Sequence, residues 1–106
     1  MNKACYDLLL EIFQFTKDFS REYKYTVGES IKKQTIELLT LIFRANSRKN
    51  KEQVLQEARE NIEVIRLFIR LMKDMHEISL KRFVQVNKKV EDVSKQLTGW
   101  QKAMRN

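Results

Sequence analysis

The sequence predicts an all-α fold, an antiparallel up-down-up-down four-helix bundle in one domain over residues 1–106, on three observations. Backbone breakers are scarce, with no proline and two glycines among 106 residues, while Leu, Ile, Lys, Glu and Arg abound, so helix is the favoured backbone state. Apolar residues recur in steps of three and four along most of the chain, the spacing that gathers side chains on one helix face. Four such stretches, each of around 20 residues and so about 30 Å long, are separated by short polar segments, which places consecutive helices antiparallel. No stretch alternates with the period of a strand, and the rhythm is too mixed for a long coiled coil.

The first helix is expected over about residues 3–19. Leu8, Ile12, Phe15 and Phe19 form its core stripe, and Tyr6, Leu9, Leu10 and Phe13 a second stripe beside it. The combined apolar face is wider than the arc of roughly 100° that suffices for a surface helix, which points to a central position or a contact with another subunit. Ser20 to Tyr25 form a polar, aromatic connection. The second helix, over 27–46, opens on Thr26 with Glu29 three residues later, the pattern of a capping box. Gly28, in its first turn, allows a neighbour to approach closely. Ile31, Leu38, Leu39 and Ile42 carry the core face, which Ile36 and Phe43 broaden.

A hydrophilic turn, Arg48-Lys49-Asn50-Lys51, leads to a third helix over 51–76, whose core face is Val54, Ala58, Ile62, Ile65, Phe68, Ile69 and Met72. Ser79 is a suitable N-cap for the fourth, over 80–103. There Leu80, Phe83, Val86 or Val90, Val93, Leu97 and Trp100 keep the rhythm.

The chain carries 21 Lys and Arg against 14 Asp and Glu, a net charge of +7. Such an excess favours an anionic partner, whether nucleic acid, an acidic protein or an anionic surface. It is unevenly spread: residues 17–51 carry a net +5 and residues 81–106 another +5, while residues 52–80 are at −2 and residues 1–16 at −1. On the third helix Arg59, Arg66, Arg70 and Lys73 line one face, and on the fourth Lys81, Arg82, Lys88, Lys89 and Lys95 have only Glu91 and Asp92 nearby in sequence. A solvated face with local ion pairs such as Glu63 with Arg66 is the plain reading of the former. The latter set repels itself unless a polyanion relieves it.

Catalytic and metal chemistry are not expected. His76 is the only histidine; Asp74 and Glu77 share a helix face that His76 does not, and a metal needs three or more converging ligands. Pairing Cys5 with His76 as nucleophile and base lacks an orienting group and an oxyanion hole. No glycine-rich phosphate loop is present, and no cofactor is implied. Trp100 after Gly99 suits a plug at the bundle end better than a base-stacking platform. Cys5 is the only cysteine, which fits a reducing compartment. The longest uncharged runs, such as Leu38 to Phe43, are far short of the roughly 20 apolar residues of a membrane span, and residues 1–4 lack the pattern of a signal peptide. A cytoplasmic location without membrane contact is therefore expected.

Several strings, taken in order, resemble the Avd family, the accessory variability determinant of diversity-generating retroelements. They are Leu8-Leu9-Leu10-Glu11-Ile12-Phe13 with Phe19, Tyr23-Lys24-Tyr25-Thr26-Val27-Gly28-Glu29, Ile42-Phe43-Arg44-Ala45-Asn46, Ile69-Arg70-Leu71-Met72-Lys73-Asp74, Ile78-Ser79-Leu80-Lys81-Arg82-Phe83 and Gly99-Trp100. Phe19-Ser20 departs from the Phe-Pro that relatives often carry. The resemblance implies a four-helix bundle assembled as a homopentameric ring. It also implies a non-enzymatic accessory role, binding a reverse transcriptase together with RNA or DNA during error-prone copying of a template RNA. It places Arg44, Arg70, Lys73, Lys81 and Arg82 on the basic binding surface, to which charge alone adds Arg66, Lys88, Lys89 and Lys95. A sister group, encoded within intervening sequences of ribosomal RNA genes, shares the bundle, and a purely structural interaction module is a third reading.

Overall fold

The structure, a computed structural model, describes residues 2–47 and 51–105. Its elements are α1 (Asn2–Thr16), a short α2 (Arg21–Lys24), α3 (Val27–Ser47), α4 (Glu52–Asp74) and α5 (Leu80–Arg105). The four long helices pack in a square whose sides are α1 with α3, α3 with α4, α4 with α5 and α5 with α1. All four run antiparallel to their neighbours, and no strand occurs among the described residues. Of the polar turn expected at 48–51, residues 48–50 lie outside the described residues.

The apolar spacing located most of the core, although Ile36 and Phe43 of α3 are exposed and Leu41, Ala45 and Leu55 are buried without having been expected. Leu8, Ile12 and Phe15 of α1 are buried against Ile31, Leu38 and Ile42 of α3, with Ile62, Ile65 and Ile69 of α4 and Val86, Val90, Val93 and Leu97 of α5 completing the interior. Each such side chain contributes roughly 1.5–3 kcal/mol by leaving water. Trp100 is half-buried against this cluster with the Lys51 ammonium 5.8 Å from its ring centre, in keeping with a plug. Leu80 departs from expectation: it is 71% exposed, because α5 begins there and Ile78, just before the helix, takes the buried place instead.

The first helix is shorter than its spacing suggests. It ends at Thr16, where the Thr16 hydroxyl donates to the Phe13 carbonyl and the N–H groups of Asp18 and Phe19 close tight turns onto Phe15 and Thr16. Phe19 nevertheless stays buried and stacks on Phe15, ring centres 5.7 Å apart. A four-residue apolar step thus persists across a turn. The connection to α3 contains the additional short helix α2. Above it, a Cβ on Gly28 would stand 3.2 Å from the Tyr23 carbonyl oxygen and 3.4 Å from the Phe19 ring, so glycine lets the connection sit close to α3. The expected capping box takes another form. The Thr26 hydroxyl donates back to the Glu22 carbonyl, and the Glu29 carboxylate pairs with Lys32 at 2.9 Å.

The α4–α5 turn is built as a Schellman motif: the Glu77 N–H donates to the Met72 carbonyl and the His76 N–H to the Lys73 carbonyl. His76 occupies the left-handed position with φ of 62°, where glycine is usual. Glu77 then accepts the Ser20 N–H at 2.6 Å, tying this turn to the one after α1. Ser79 caps α5 as anticipated, its hydroxyl accepting the Arg82 N–H at 3.0 Å.

Candidate nucleic-acid interface

The nine basic residues singled out by sequence divide into two groups once folded. The first is neutralised from within. Glu11, on the inner edge of α1, is 8% exposed, and a carboxylate so removed from water requires a counter-charge. Two residues of α5 supply it. Lys89 Nζ lies 2.9 Å from Glu11 Oε2, and Arg82 Nη1 3.5 Å from Oε1. Arg82 also comes within 4.0 Å of the exposed Asp18. Seven residues apart on α5, both bases face α1, and the pairing fastens those two helices together. Sequence reading, which found only Glu91 and Asp92 near these bases, missed Glu11 because it lies 71 and 78 residues away along the chain.

On α4, Arg66 bridges Glu91 of α5 at 3.0 Å and Glu63 at 3.5 Å. Asp74 serves both Lys73 at 3.6 Å and Arg70 at 3.9 Å. The Lys73 ammonium also sits 4.8 Å from the centre of the Phe83 ring. Arg59, on the same flank, donates to Gln101 at 2.6 Å. The α4 stripe is therefore engaged mainly in holding α4 to α5, though Arg70 is 71% exposed and its long contact to Asp74 leaves it accessible.

The second group is free. Lys81, Lys88 and Lys95 are exposed on α5 and form no ion pair or hydrogen bond among the described residues. Lys102, not singled out from the sequence, shares these properties. Its signal was available, since 81, 88, 95 and 102 are separated by seven residues each time. Arg44 is exposed and equally free near the end of α3, on a different helix from the lysines.

Apolar side chains are also exposed on the other long helices. Tyr6, Leu10 and Phe13 of α1 continue into Ile36 and Phe43 of α3, and Val64, Leu67, Leu71 and Met75 form a stripe on α4; each of these residues is between 38% and 69% exposed. Lys32 lies over the Phe13 ring at 5.4 Å, at the junction of α1 and α3. Contiguous exposed apolar patches commonly mark contact surfaces.

His76 is exposed at the α4–α5 turn, whereas Cys5 is buried near the opposite end of the bundle. Burial pushes the Cys5 thiol up to about 11, away from nucleophilic character. No cluster of ligating side chains able to hold a metal occurs among the described residues, and no helix there is long and apolar enough to cross a membrane.

The protein is thus of the class of all-helical bundles, with internal ion pairs, one row of free lysines on α5 and exposed apolar residues on α1, α3 and α4. The chain belongs to the bAvd-like family, whose family model matches residues 1–104. This agrees with the resemblance to the Avd family and fits an accessory protein of the Avd type. No curated protein matches the chain in sequence.

Proposed function

We propose that this chain is a non-enzymatic accessory protein of a diversity-generating retroelement, which assembles as a homopentameric ring and holds template RNA or its cDNA close to the reverse transcriptase. The family match over residues 1–104 carries the reading. The exposed and unpaired Lys81, Lys88 and Lys95 support its nucleic-acid component, with Arg44 and Arg70 as further contacts. Arg66, Lys73, Arg82 and Lys89 stabilise the fold that displays them.

The ring is supported by the exposed apolar residues. The α1/α3 surface is rich in aromatic residues and the α4 stripe is aliphatic, so each copy offers two unlike apolar surfaces on different helices. A contact between unlike surfaces is heterologous, and copies joined that way close into a ring when the rotation permits. Five copies at +7 present about +35, so weak individual phosphate contacts add by avidity.

Light scattering coupled to size-exclusion chromatography, with a structured RNA added over a salt series, tests the reading. A species of about five subunits that binds RNA more weakly as salt rises is expected. Phe43→Glu or Leu67→Glu should break the ring while leaving helicity intact. A monomer indifferent to RNA overturns the proposal. The neighbouring genes distinguish the retroelement from a ribosomal-RNA intervening sequence: a reverse transcriptase gene beside paired repeats fits only the former.

A further inference from the structure

We propose that the outer face of α5 is a track for single-stranded nucleic acid, formed by Lys81, Lys88, Lys95 and Lys102. This rests on the nucleic-acid reading above and narrows it to one helix face and one form of polyanion.

The four ammonium groups recur every seven residues, a spacing that returns side chains to nearly the same side of a helix. Consecutive lysines stand about 10.5 Å apart and the row is about 31 Å long. It winds by about 60° in all, because each heptad drifts by about 20° on a straight helix. All four side chains are exposed and unpaired among the described residues. Their basic neighbours Arg82 and Lys89 are instead turned to Glu11. This segregation leaves the row as a line of uncompensated charge. Asp92, four residues after Lys88 and three before Lys95 on α5, forms no ion pair among the described residues.

The shape of the row selects the strand. Along a B-form duplex the phosphates of one strand advance about 3.4 Å per base pair, so the row spans about nine base pairs, most of a turn of about 10.5. Over that distance each strand winds past the far side of the duplex and almost back, and a gently curved row of cations meets it only where it crosses. A flexible single strand can lie along the row and bring a phosphate to every lysine. The two aromatic residues of α5 are engaged elsewhere: Phe83 lies under Lys73 and Trp100 packs on the bundle. Base stacking therefore adds little, and binding is electrostatic and sequence-tolerant.

The test is fluorescence anisotropy with a labelled 20-nucleotide oligouridylate and a duplex RNA of equal length, across a salt series. Native protein is compared with a variant in which Lys81, Lys88, Lys95 and Lys102 are Ala. A control variant of equal charge change carries Ala at the exposed Lys3, Lys17, Arg21 and Lys33. Circular dichroism verifies that both variants fold. The track predicts that the α5 variant loses most single-strand affinity, its salt slope shrinking by about 2.8, four contacts at about 0.7 each. The control should retain most of its affinity, and Asp92→Asn should tighten binding. Equal losses in the two variants, or duplex binding at least as strong and as dependent on the four lysines, overturn the track and leave the nucleic-acid reading standing. Failure of the native protein to bind either RNA overturns both.

Discussion

The Glu11 cluster makes a sharp prediction because one buried carboxylate serves two bases. Lys89→Met keeps the aliphatic stem and helix propensity but removes the 2.9 Å contact. Arg82 still faces the carboxylate, and the lysine is about a third exposed, so solvent screening limits the loss to about 1 kcal/mol. Arg82→Met, which removes the longer 3.5 Å contact, should cost about as much or less. Together they strand an acid whose side chain is 9% exposed, and an unpaired buried charge costs about 3–5 kcal/mol. The pair should therefore exceed the sum of the singles by 1 kcal/mol or more. Adding Glu11→Leu should recover most of that, since an apolar side chain of similar size needs no counter-charge. Urea unfolding followed by circular dichroism gives all four stabilities, with unchanged slopes confirming comparable transitions. Purely additive losses, or no rescue by Glu11→Leu, would refute the idea that Glu11 depends on these two bases.

Two further outcomes follow from local geometry and burial. His76→Gly should stabilise the protein by about 0.5–1 kcal/mol by relieving the left-handed backbone at φ of 62°, while His76→Ala, which keeps a Cβ there, should not; chemical denaturation separates them. Cys5 has its thiol raised from 9.0 to about 11, so the folded chain holds the neutral form while the unfolded chain ionises. Stability relative to Cys5→Ala should be whole below pH 9 and decline between pH 9 and 11, by up to roughly 2–3 kcal/mol. Thiol reagents at pH 8 should modify Cys5 only as fast as the protein opens.

The helices and core were legible because burial of an apolar stripe imposes its period on the residues themselves. That same rule misplaced the end of α1, since Phe19 keeps the four-residue step from Phe15 after the backbone has turned. Leu80 was read as core for the same reason. The Schellman turn left no mark, because His76 stands where glycine would have announced it. For the candidate interface, sequence found the basic residues but not which were free. Pairing of Arg82 and Lys89 depends on a carboxylate on another helix, and such contacts follow from packing, not from order along the chain. Lys102 was visible in the heptad spacing, beyond the last stretch in which basic residues cluster.

The square of helices also has an order of assembly written into it. Three of its sides join helices that follow one another along the chain, through short connections or the small α2, and such local contacts close quickly. The remaining side, α1 against α5, brings together residues separated by 71 and 78 positions, and closing so long a loop is entropically the least favourable step. That seam is expected to form last, with φ-values near zero for Arg82 and Lys89 substitutions. Loosening it shortens the lifetime of the native chain and leaves the speed of folding nearly unchanged. The Glu11 pairs are thus a clasp on the seam that closes the square, while Arg59, Arg66 and Lys73 hold the lysine-bearing helix to α4.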